Sequence, residues 1–159
     1  MQEPPTSASD QLQWLVDRAA ITDLILSFAR CVDDSDHAQY TANFTDDGSL
    51  ILPFAEVHGR DQILAMPDPP EGWATHHLIG NIMIDIDGDT AHTRAYLTAT
   101  HVFDATQPSN NAQAGGWYTH ELTRTPEGWR FTHVELHVIW EQEKPMIPEE
   151  SGVNIRPAS

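Results

Sequence analysis

The sequence predicts an α+β domain in which N-terminal helices pack on a strongly curved antiparallel sheet and enclose a cone-shaped cavity. Two observations support this class. Apolar residues recur with helical spacing in the first part of the chain, and the part that follows the proline-rich segment 67–72 reads as long strands. A bent sheet that helices close on one side leaves a cavity, and such cavities are common ligand sites.

The first helix is predicted from an apolar stripe with helical spacing. The stripe consists of Ile21, Leu24, Ile25, Phe28, Cys31 and Val32, with Trp14 one heptad earlier. Ser7 or Ser9 is a suitable N-cap, and the acidic run 33–36 favours the end of the helix. A second, short helix is expected over 37–44, before a turn at the TDDG segment 45–48.

Short elements precede the predicted strands. Residues 49–54 form a short apolar run, and residues 59–66 are expected to form one short helix. Two long hairpins follow over 75–103 and 112–142. The first turns at an Asp-Gly signal and the second at the segment PEG, so each pair of strands is expected to be antiparallel.

We expect one domain over residues 9–142, preceded by a flexible tail at 1–8. Residues 143–159 are either disordered or form an arm that covers the cavity or a neighbouring subunit. A chain of 159 residues is long enough for one hydrophobic core. Its one cysteine, Cys31, has no internal disulfide partner, which fits a reducing compartment.

The charge balance excludes two classes of partner. Eight Lys plus Arg against 24 Asp plus Glu give a net charge of −16. Nucleic acid and anionic membranes both require a cationic surface, so we expect neither as a partner. No stretch approaches the roughly 18 apolar residues of a membrane span, and the N-terminus lacks the features of a secretory leader. These features predict a soluble, cytoplasmic protein.

Motifs for metals and cofactors are missing from the sequence. There are nine histidines, but His133 and His137 would lie about 13 Å apart on a strand, too far for one ion. Neighbouring His76 and His77 would point to opposite faces. The chain has no G-x-G-x-x-G motif, no P-loop and no nucleophile elbow. We therefore expect no metal and no cofactor.

Acid–base residues remain as candidates. Asp33 closes the first helix, where the helix dipole makes a carboxylate more basic unless a donor is near, and a histidine is the obvious partner. His77 lies on the first long strand, and His101 lies on the second, on the same face as Leu97 and small residues. On spacing alone, a solvated turn at Asp33 and a structural role for His77 remain open.

Three aromatic residues are further candidates. Trp117 and Tyr118 are neighbours on one strand and point to opposite faces, so only one of them can line the cavity. Tyr40 on the short helix is another phenol, whose direction the sequence does not determine.

Four pieces of the chain resemble, in the same order, the SnoaL-like group of the nuclear transport factor 2-like superfamily, whose fold is a cystatin-like α+β cone. They are LVDRAAITDLILSFARCVDDSDHAQYTANFTDDGSL, THHLIGNIMIDIDGDTA, GGWYTHELTRTPEGWRF and VIW, which together span roughly residues 10–142. The most similar enzymes of that group are scytalone dehydratase, hexachlorocyclohexane dehydrochlorinase and bile-acid 7α-dehydratase. The resemblance implies elimination of water or HCl by an Asp–His pair without a cofactor.

The resemblance assigns this pair residue by residue. The Asp of these enzymes ends the first helix after a hydrophobic residue and is matched by Asp33. Their His lies in the run T-x-H-x-I-G, matched by residues 75–80, which selects His77 over His76. A second histidine of the dehydratase, on the next strand, is matched by His101.

The resemblance also bears on the substrate pocket. The segment GGWYT at 115–119 matches the dehydrochlorinase. Phe28 replaces a tyrosine of the bile-acid enzyme, and Val134 falls near a basic residue of the dehydrochlorinase, which argues against a chloride site. We expect six residues to contact the substrate: Tyr118, Trp117, Phe28, Tyr40, Leu97 and Val134.

Together these assignments predict a lyase of the dehydratase type that acts on a hydrophobic cyclic small molecule, such as a polyketide or steroid-like compound. Asp33 orients His77, His77 removes a carbon-bound proton, and His101 or Tyr118 assists the leaving oxygen. Isomerisation and aldol cyclisation need the same proton abstraction and remain open. A non-catalytic ligand-binding or assembly module is the alternative from another class.

The last strand predicts a homo-oligomer because apolar residues occupy both of its faces. Strict alternation assigns them to two sets: Trp129, Phe131 and Ile139 on one face, and Val134, Leu136, Val138 and Trp140 on the other. The resemblance to the dehydratase favours a trimer over a dimer.

Overall fold

The computed structural model describes residues 4–67, 69–142 and 145–146. Within these ranges, helices and strands follow one another as α1 (Ala8–Asp33), α2 (His37–Ala42), β1 (Phe44–Leu52), β2 (Ala55–His58), α3 (Arg60–Leu64), β3 (Ala74–Asp87), β4 (Thr90–Val102), β5 (Asn111–Thr125) and β6 (Gly128–Gln142). The strands form one curled, open sheet in the order β2-β1-β6-β5-β4-β3. The predicted α+β class is confirmed.

Helix α1 forms where the apolar spacing predicts it. Its N-cap is Ser7, whose hydroxyl oxygen accepts a hydrogen bond from the backbone N–H of Asp10 at 3.2 Å. The helix buries Asp17, Ile21, Ile25, Phe28, Ala29 and Cys31. Because this face packs against β3, the last residue of the helix, Asp33, comes to lie beside the start of that strand.

The N-terminal edge of the sheet differs from the prediction in three ways. The TDDG segment 45–48 lies within β1 instead of forming a turn, and a register irregularity between Phe44 and Ser49 accommodates it. Strand β2 was not predicted, because four residues are too few to show an alternation. Finally, β1 runs parallel to β6, so the sheet is mixed and not wholly antiparallel. Such a pairing joins segments that are distant in sequence, so it cannot be predicted from the local periodicity of either segment.

Both long hairpins are confirmed, and they form the curved wall of the fold. Strand β3 pairs with β4, and β5 pairs with β6, in antiparallel register. Gly88 and Gly128 at their turns have φ values of 59° and 108°, a region that glycine adopts without strain. Strands β4 and β5 also pair in antiparallel register, which joins the two hairpins edge to edge.

Irregularities in the β5–β6 register change which side chains of β6 share a face. One irregularity, opposite Glu121–Leu122, lets Trp129, Phe131 and Val134 all enter the core. The prediction that Val134 opposes Phe131 is therefore wrong, because an inserted residue reverses the alternation beyond it. A second irregularity lies at Gly115–Gly116. At this irregularity, three apolar residues of β6 are exposed: Val138 by 39%, Ile139 by 60% and Trp140 by 42%.

These exposed residues at the end of β6 lead to a prediction about assembly. We expect a homo-oligomer, with a trimer favoured by the dehydratase resemblance, because contiguous exposed apolar residues are stabilised by burial in a subunit contact. Ile139→Glu should shift the protein towards smaller species, whereas Leu64→Glu on α3, which is 52% exposed, serves as the matched control. Size-exclusion chromatography with light scattering measures the mass. A monomeric wild type at micromolar concentration would contradict the prediction.

Candidate functional site

Asp33 and His77 form a direct pair where the end of α1 meets β3. The Nδ1 atom of His77 lies 2.6 Å from Oδ1 of Asp33, and the backbone N–H of His77 donates to Oδ2 at 3.0 Å. Because a carboxylate only accepts hydrogen bonds, Nδ1 carries the proton and Nε2 of the neutral ring keeps its lone pair. The pair therefore presents an oriented imidazole whose Nε2 is suited to act as a base.

Thr75 makes a further contact with Asp33. From the sequence, this threonine was known only as the first residue of the T-x-H-x-I-G run. Its hydroxyl donates to Oδ1 at 2.9 Å, and the two-residue spacing from His77 places both side chains on one face of β3. Burial by itself would raise the pKa of Asp33, but the hydrogen bonds from His77 and Thr75 hold this pKa below its usual value. Asp33 is therefore a carboxylate at neutral pH. His76, by contrast, is exposed.

His101 lies next to the pair on β4. It is the cross-strand neighbour of Thr75, and the ring centroids of His101 and His77 are 5.7 Å apart. Its Nδ1 lies 2.9 Å from the backbone oxygen of Met146. Burial lowers the pKa of His101 below its ordinary value, although the hydrogen bond to Met146 acts in the opposite direction. The structure therefore brings the three predicted acid–base residues together.

Tyr118 faces the interior, and Trp117 does not. Tyr118 is 6% exposed and packs edge-on against the ring of Phe28, with 5.4 Å between centroids. Trp117 lies on the outer face of the sheet, stacked on His137 at 5.3 Å and covered by the guanidinium of Arg94 at 4.2 Å. Of these two predicted substrate contacts, only Tyr118 is on the side of the Asp–His pair.

Two buried phenols lie in this interior. Burial and the charge on Asp33 raise the pKa of Tyr118, and burial raises the pKa of Tyr40, so both hydroxyls stay protonated at neutral pH. The Tyr40 ring stacks on Phe28 with 4.9 Å between centroids. Neither hydroxyl forms a hydrogen bond with another residue that the structure describes. Both are donors without a protein acceptor there, as a site for an oxygen-bearing ligand requires.

Two further residues that were expected to contact the substrate are buried among core residues. Phe28 is 2% exposed and is surrounded by aromatic rings, which include Tyr118 and Phe131. Val134 is fully buried because the irregularity in β6 turns it inward. Leu97 is buried on the inner face, where it pairs with Ile79. It therefore remains a candidate for substrate contact.

Small residues form the sheet next to His77. Its neighbours across the strands are Ala99 on β4 and then Ala114 on β5, both buried. The glycine pair of the GGWYT segment has a packing role, because a Cβ on Gly116 would collide with the backbone carbonyl of His137. Small side chains in this row leave room beside the imidazole ring.

A cavity of about 450 Å³ opens beside the carboxylate of the pair. It lies between the end of α1 and segment 69–75, and its lining includes Asp33, Thr75 and Trp73. Trp73 also packs on Phe103 at 4.7 Å, and its centroid is 6.2 Å from that of His101. The lining of this cavity thus includes Asp33 of the pair but not His77, His101 or Tyr118, and aromatic rings fill the interior around Phe28.

Two other groups of histidines do not join this site. His120 is buried in the core, stacked on Phe131, and burial lowers its pKa to about 3. His133 and His137 both face Glu135 on the outer side, at 4.0 Å and 3.5 Å. Within the described ranges, no cluster of three His, Cys, Asp or Glu side chains is arranged to hold a metal ion. In the same ranges, no helix has the length and apolar character needed to cross a membrane.

Comparison with known proteins places this geometry in context. The model of the SnoaL-like domain family matches residues 13–135. An uncharacterized protein of Mycobacterium tuberculosis strain H37Rv is 39% identical over 54 residues, which are 34% of this chain and 36% of that protein. The chain thus matches about a third of the length of this curated relative.

Solved structures share the fold over most of the chain. A scytalone dehydratase-like protein from Novosphingobium aromaticivorans is 21% identical with a TM-score of 0.73, covering 82% of this chain and 89% of that one. An NTF2-like protein with a cystatin-like fold from the same species is 25% identical with a TM-score of 0.70, covering 82% and 87%. A hexachlorocyclohexane dehydrochlorinase from Novosphingobium barchaimii is 17% identical with a TM-score of 0.72, covering 86% and 96%.

Proposed function

The chain belongs to the SnoaL-like domain family, and from this premise we propose that it is a cofactor-independent lyase that dehydrates a hydrophobic cyclic small molecule. The family and its fold also include proteins without catalysis, so the proposal depends on the site and not on the fold. The observation that carries it is the hydrogen bond of 2.6 Å between Asp33 and Nδ1 of His77, which leaves Nε2 as a base.

The reaction needs one base and one acid. Nε2 of His77 takes a proton from carbon, and the C–H electron pair forms the new C=C bond. The C–O bond breaks, and the leaving oxygen takes a proton from Tyr118 or His101 and departs as water. The proton on His77 then returns to that donor, which closes the cycle. Asp33 stabilises the imidazolium during the step, as a carboxylate next to a catalytic histidine does.

The surroundings of His77 support a cyclic, largely apolar substrate. A histidine base removes a carbon-bound proton efficiently only where a carbonyl or an aromatic ring lies beside that carbon. The neighbouring positions on the sheet carry Ile79, Leu97 and Ala99, which offer apolar contact. The protonated hydroxyl of Tyr40 is suited to bind a carbonyl oxygen on which negative charge develops.

A panel of cyclic β-hydroxy ketones in D₂O tests the reaction type. We expect loss of one water molecule, detected by mass spectrometry, together with the ultraviolet absorbance of a conjugated enone. Deuterium incorporation without loss of water would show that a carbon-bound proton is removed without elimination, and a rearranged product would then indicate isomerisation. Absence of both signals with every tested compound and any co-purified ligand would favour a binding module. Native mass spectrometry of the purified protein identifies a co-purified ligand and guides the choice of compounds.

The C-terminal tail yields a further prediction. Residues 147–159, which include the apolar Ile147, Val153 and Ile155, lie outside the described residues, whereas Met146 packs against the core. We propose that the tail shields the site from water, because excluding water strengthens the electrostatic interactions in an active site. Truncation after Glu143 should leave the circular dichroism spectrum unchanged and weaken substrate affinity or turnover. Kinetics identical to those of the full chain would return the tail to the disordered class.

A further inference from the structure

The first described residues after β6 contact the catalytic face of the protein. The backbone oxygen of Met146 lies 2.9 Å from Nδ1 of His101, and the backbone N–H of Met146 donates to Oε1 of Glu141 at 3.3 Å. Met146 also packs against the core cluster. Glu141 therefore holds the backbone of Met146 in the place where its carbonyl oxygen meets His101.

This contact determines the tautomer of His101. A backbone carbonyl oxygen has no proton to donate, so the hydrogen bond requires the proton to be on Nδ1 of His101. In the neutral ring, Nε2 then has only a lone pair. Among the residues that the structure describes, none forms a hydrogen bond with this Nε2. It is the nitrogen left to interact with a substrate.

Burial of the His101 ring favours its neutral form. Desolvation holds the pKa of His101 below its ordinary value, and the neighbouring His77 acts in the same direction. The titratable groups that face the His101 ring are His77 on β3 and Asp33 at the end of α1. Met146 contributes a neutral carbonyl. A neutral ring with its proton on Nδ1 has no proton to give from Nε2.

We infer that the hydrogen bond between Glu141 and the backbone of Met146 is a positioning contact that holds His101 as a hydrogen-bond acceptor for a hydroxyl group of the substrate, so that Tyr118 is the acid. This inference rests on the proposed function for the role of Tyr118. The substrate class narrows accordingly to compounds with a hydroxyl hydrogen that can reach Nε2 of His101. Tyr118 suits the acid role because its hydroxyl stays protonated and has no acceptor among the described residues.

The tautomer is measured directly by long-range ¹H–¹⁵N NMR spectra of the histidine rings in the full-length protein. A protonated and an unprotonated ring nitrogen have well-separated ¹⁵N shifts, and His101→Gln assigns the His101 signals. Two variants probe the contact between Glu141 and Met146. Glu141→Ala removes the acceptor for the Met146 N–H, and Glu141→Gln keeps a side-chain oxygen that accepts the same hydrogen bond.

We expect wild type and Glu141→Gln to show His101 protonated on Nδ1 and unprotonated on Nε2 slightly above neutral pH. Glu141→Ala should show a larger share of the Nε2-protonated form. A wild-type His101 that is charged or protonated on Nε2 would overturn the inference, as would equal tautomer populations in wild type and Glu141→Ala. The spectra need no substrate, so a failed elimination assay leaves this result unaffected, and a different tautomer leaves the Asp33–His77 proposal standing.

Discussion

Asp33→Asn and His77→Gln are each expected to lower turnover by at least about 10²-fold while the protein remains folded, the usual scale for loss of a general base. The asparagine amide can donate to Nδ1 of His77 and so favour the tautomer with a proton on Nε2, which removes the base without emptying the site. His77→Gln removes the imidazole itself. Steady-state kinetics give kcat and KM, and thermal unfolding reports whether each variant is folded.

His76→Gln is the matched control because His76 is the exposed neighbour of His77 on β3. It should retain the activity of the wild type. Thr75→Val should have an intermediate effect, since it removes one of the three donors to Asp33 and leaves both contacts from His77 in place. Wild-type activity in either Asp33→Asn or His77→Gln would end the proposed mechanism.

Asp17→Ala is expected to lower the free energy of unfolding by about 3 kcal/mol, the lower end of the range for removing one partner of a buried ion pair. Asp17 is 4% exposed and joins α1 to the far end of the sheet. Its carboxylate accepts from the guanidinium of Arg124, at 2.8 Å to Oδ2, and from the indole N–H of Trp129 at 3.1 Å. Without it, the indole N–H of Trp129 and the two terminal NH2 groups of Arg124 lose this acceptor. Urea unfolding measures the change.

Asp89→Asn provides the control for Asp17→Ala. Asp89 also binds Arg124, at 2.9 Å, but its side chain is 80% exposed, so its removal should cost at most about 1 kcal/mol. If both variants lose the same free energy of unfolding, the buried position of Asp17 is not the source of its effect.

The stabilisation by Asp17 also has a pH dependence of known sign. Hydrogen bonds from Arg124, opposed by burial and aided by Trp129, lower the pKa of Asp17 in the folded protein below the ordinary value of 3.8. A carboxyl group of this kind contributes fully above its unfolded-state pKa and loses the contribution as pH falls through the folded-state pKa. The wild type should therefore lose stability below about pH 4 more steeply than Asp17→Ala does.

Features that depend on neighbours in the chain could be predicted from the sequence. The helical spacing from Ile21 to Val32 predicted α1, because a helix repeats its burial pattern within a few residues. Asp-Gly and Gly-containing turns predicted both hairpins for a similar reason. The pairing of Asp33 with His77 came from the family resemblance, since spacing alone left a solvated turn open, and the structure places these two residues in contact.

Other features depend on contacts between distant segments, and only the tertiary structure decided them. The parallel pairing of β1 with β6 and the irregularities that turn Val134 inward are properties of the register between strands. Local alternation of apolar and polar residues does not encode that register. For the same reason, alternation showed that Trp117 and Tyr118 face opposite sides but not which of them faces the pair. The carbonyl of Met146 meets His101 across 45 positions of sequence, and only the packed chain brings those atoms together.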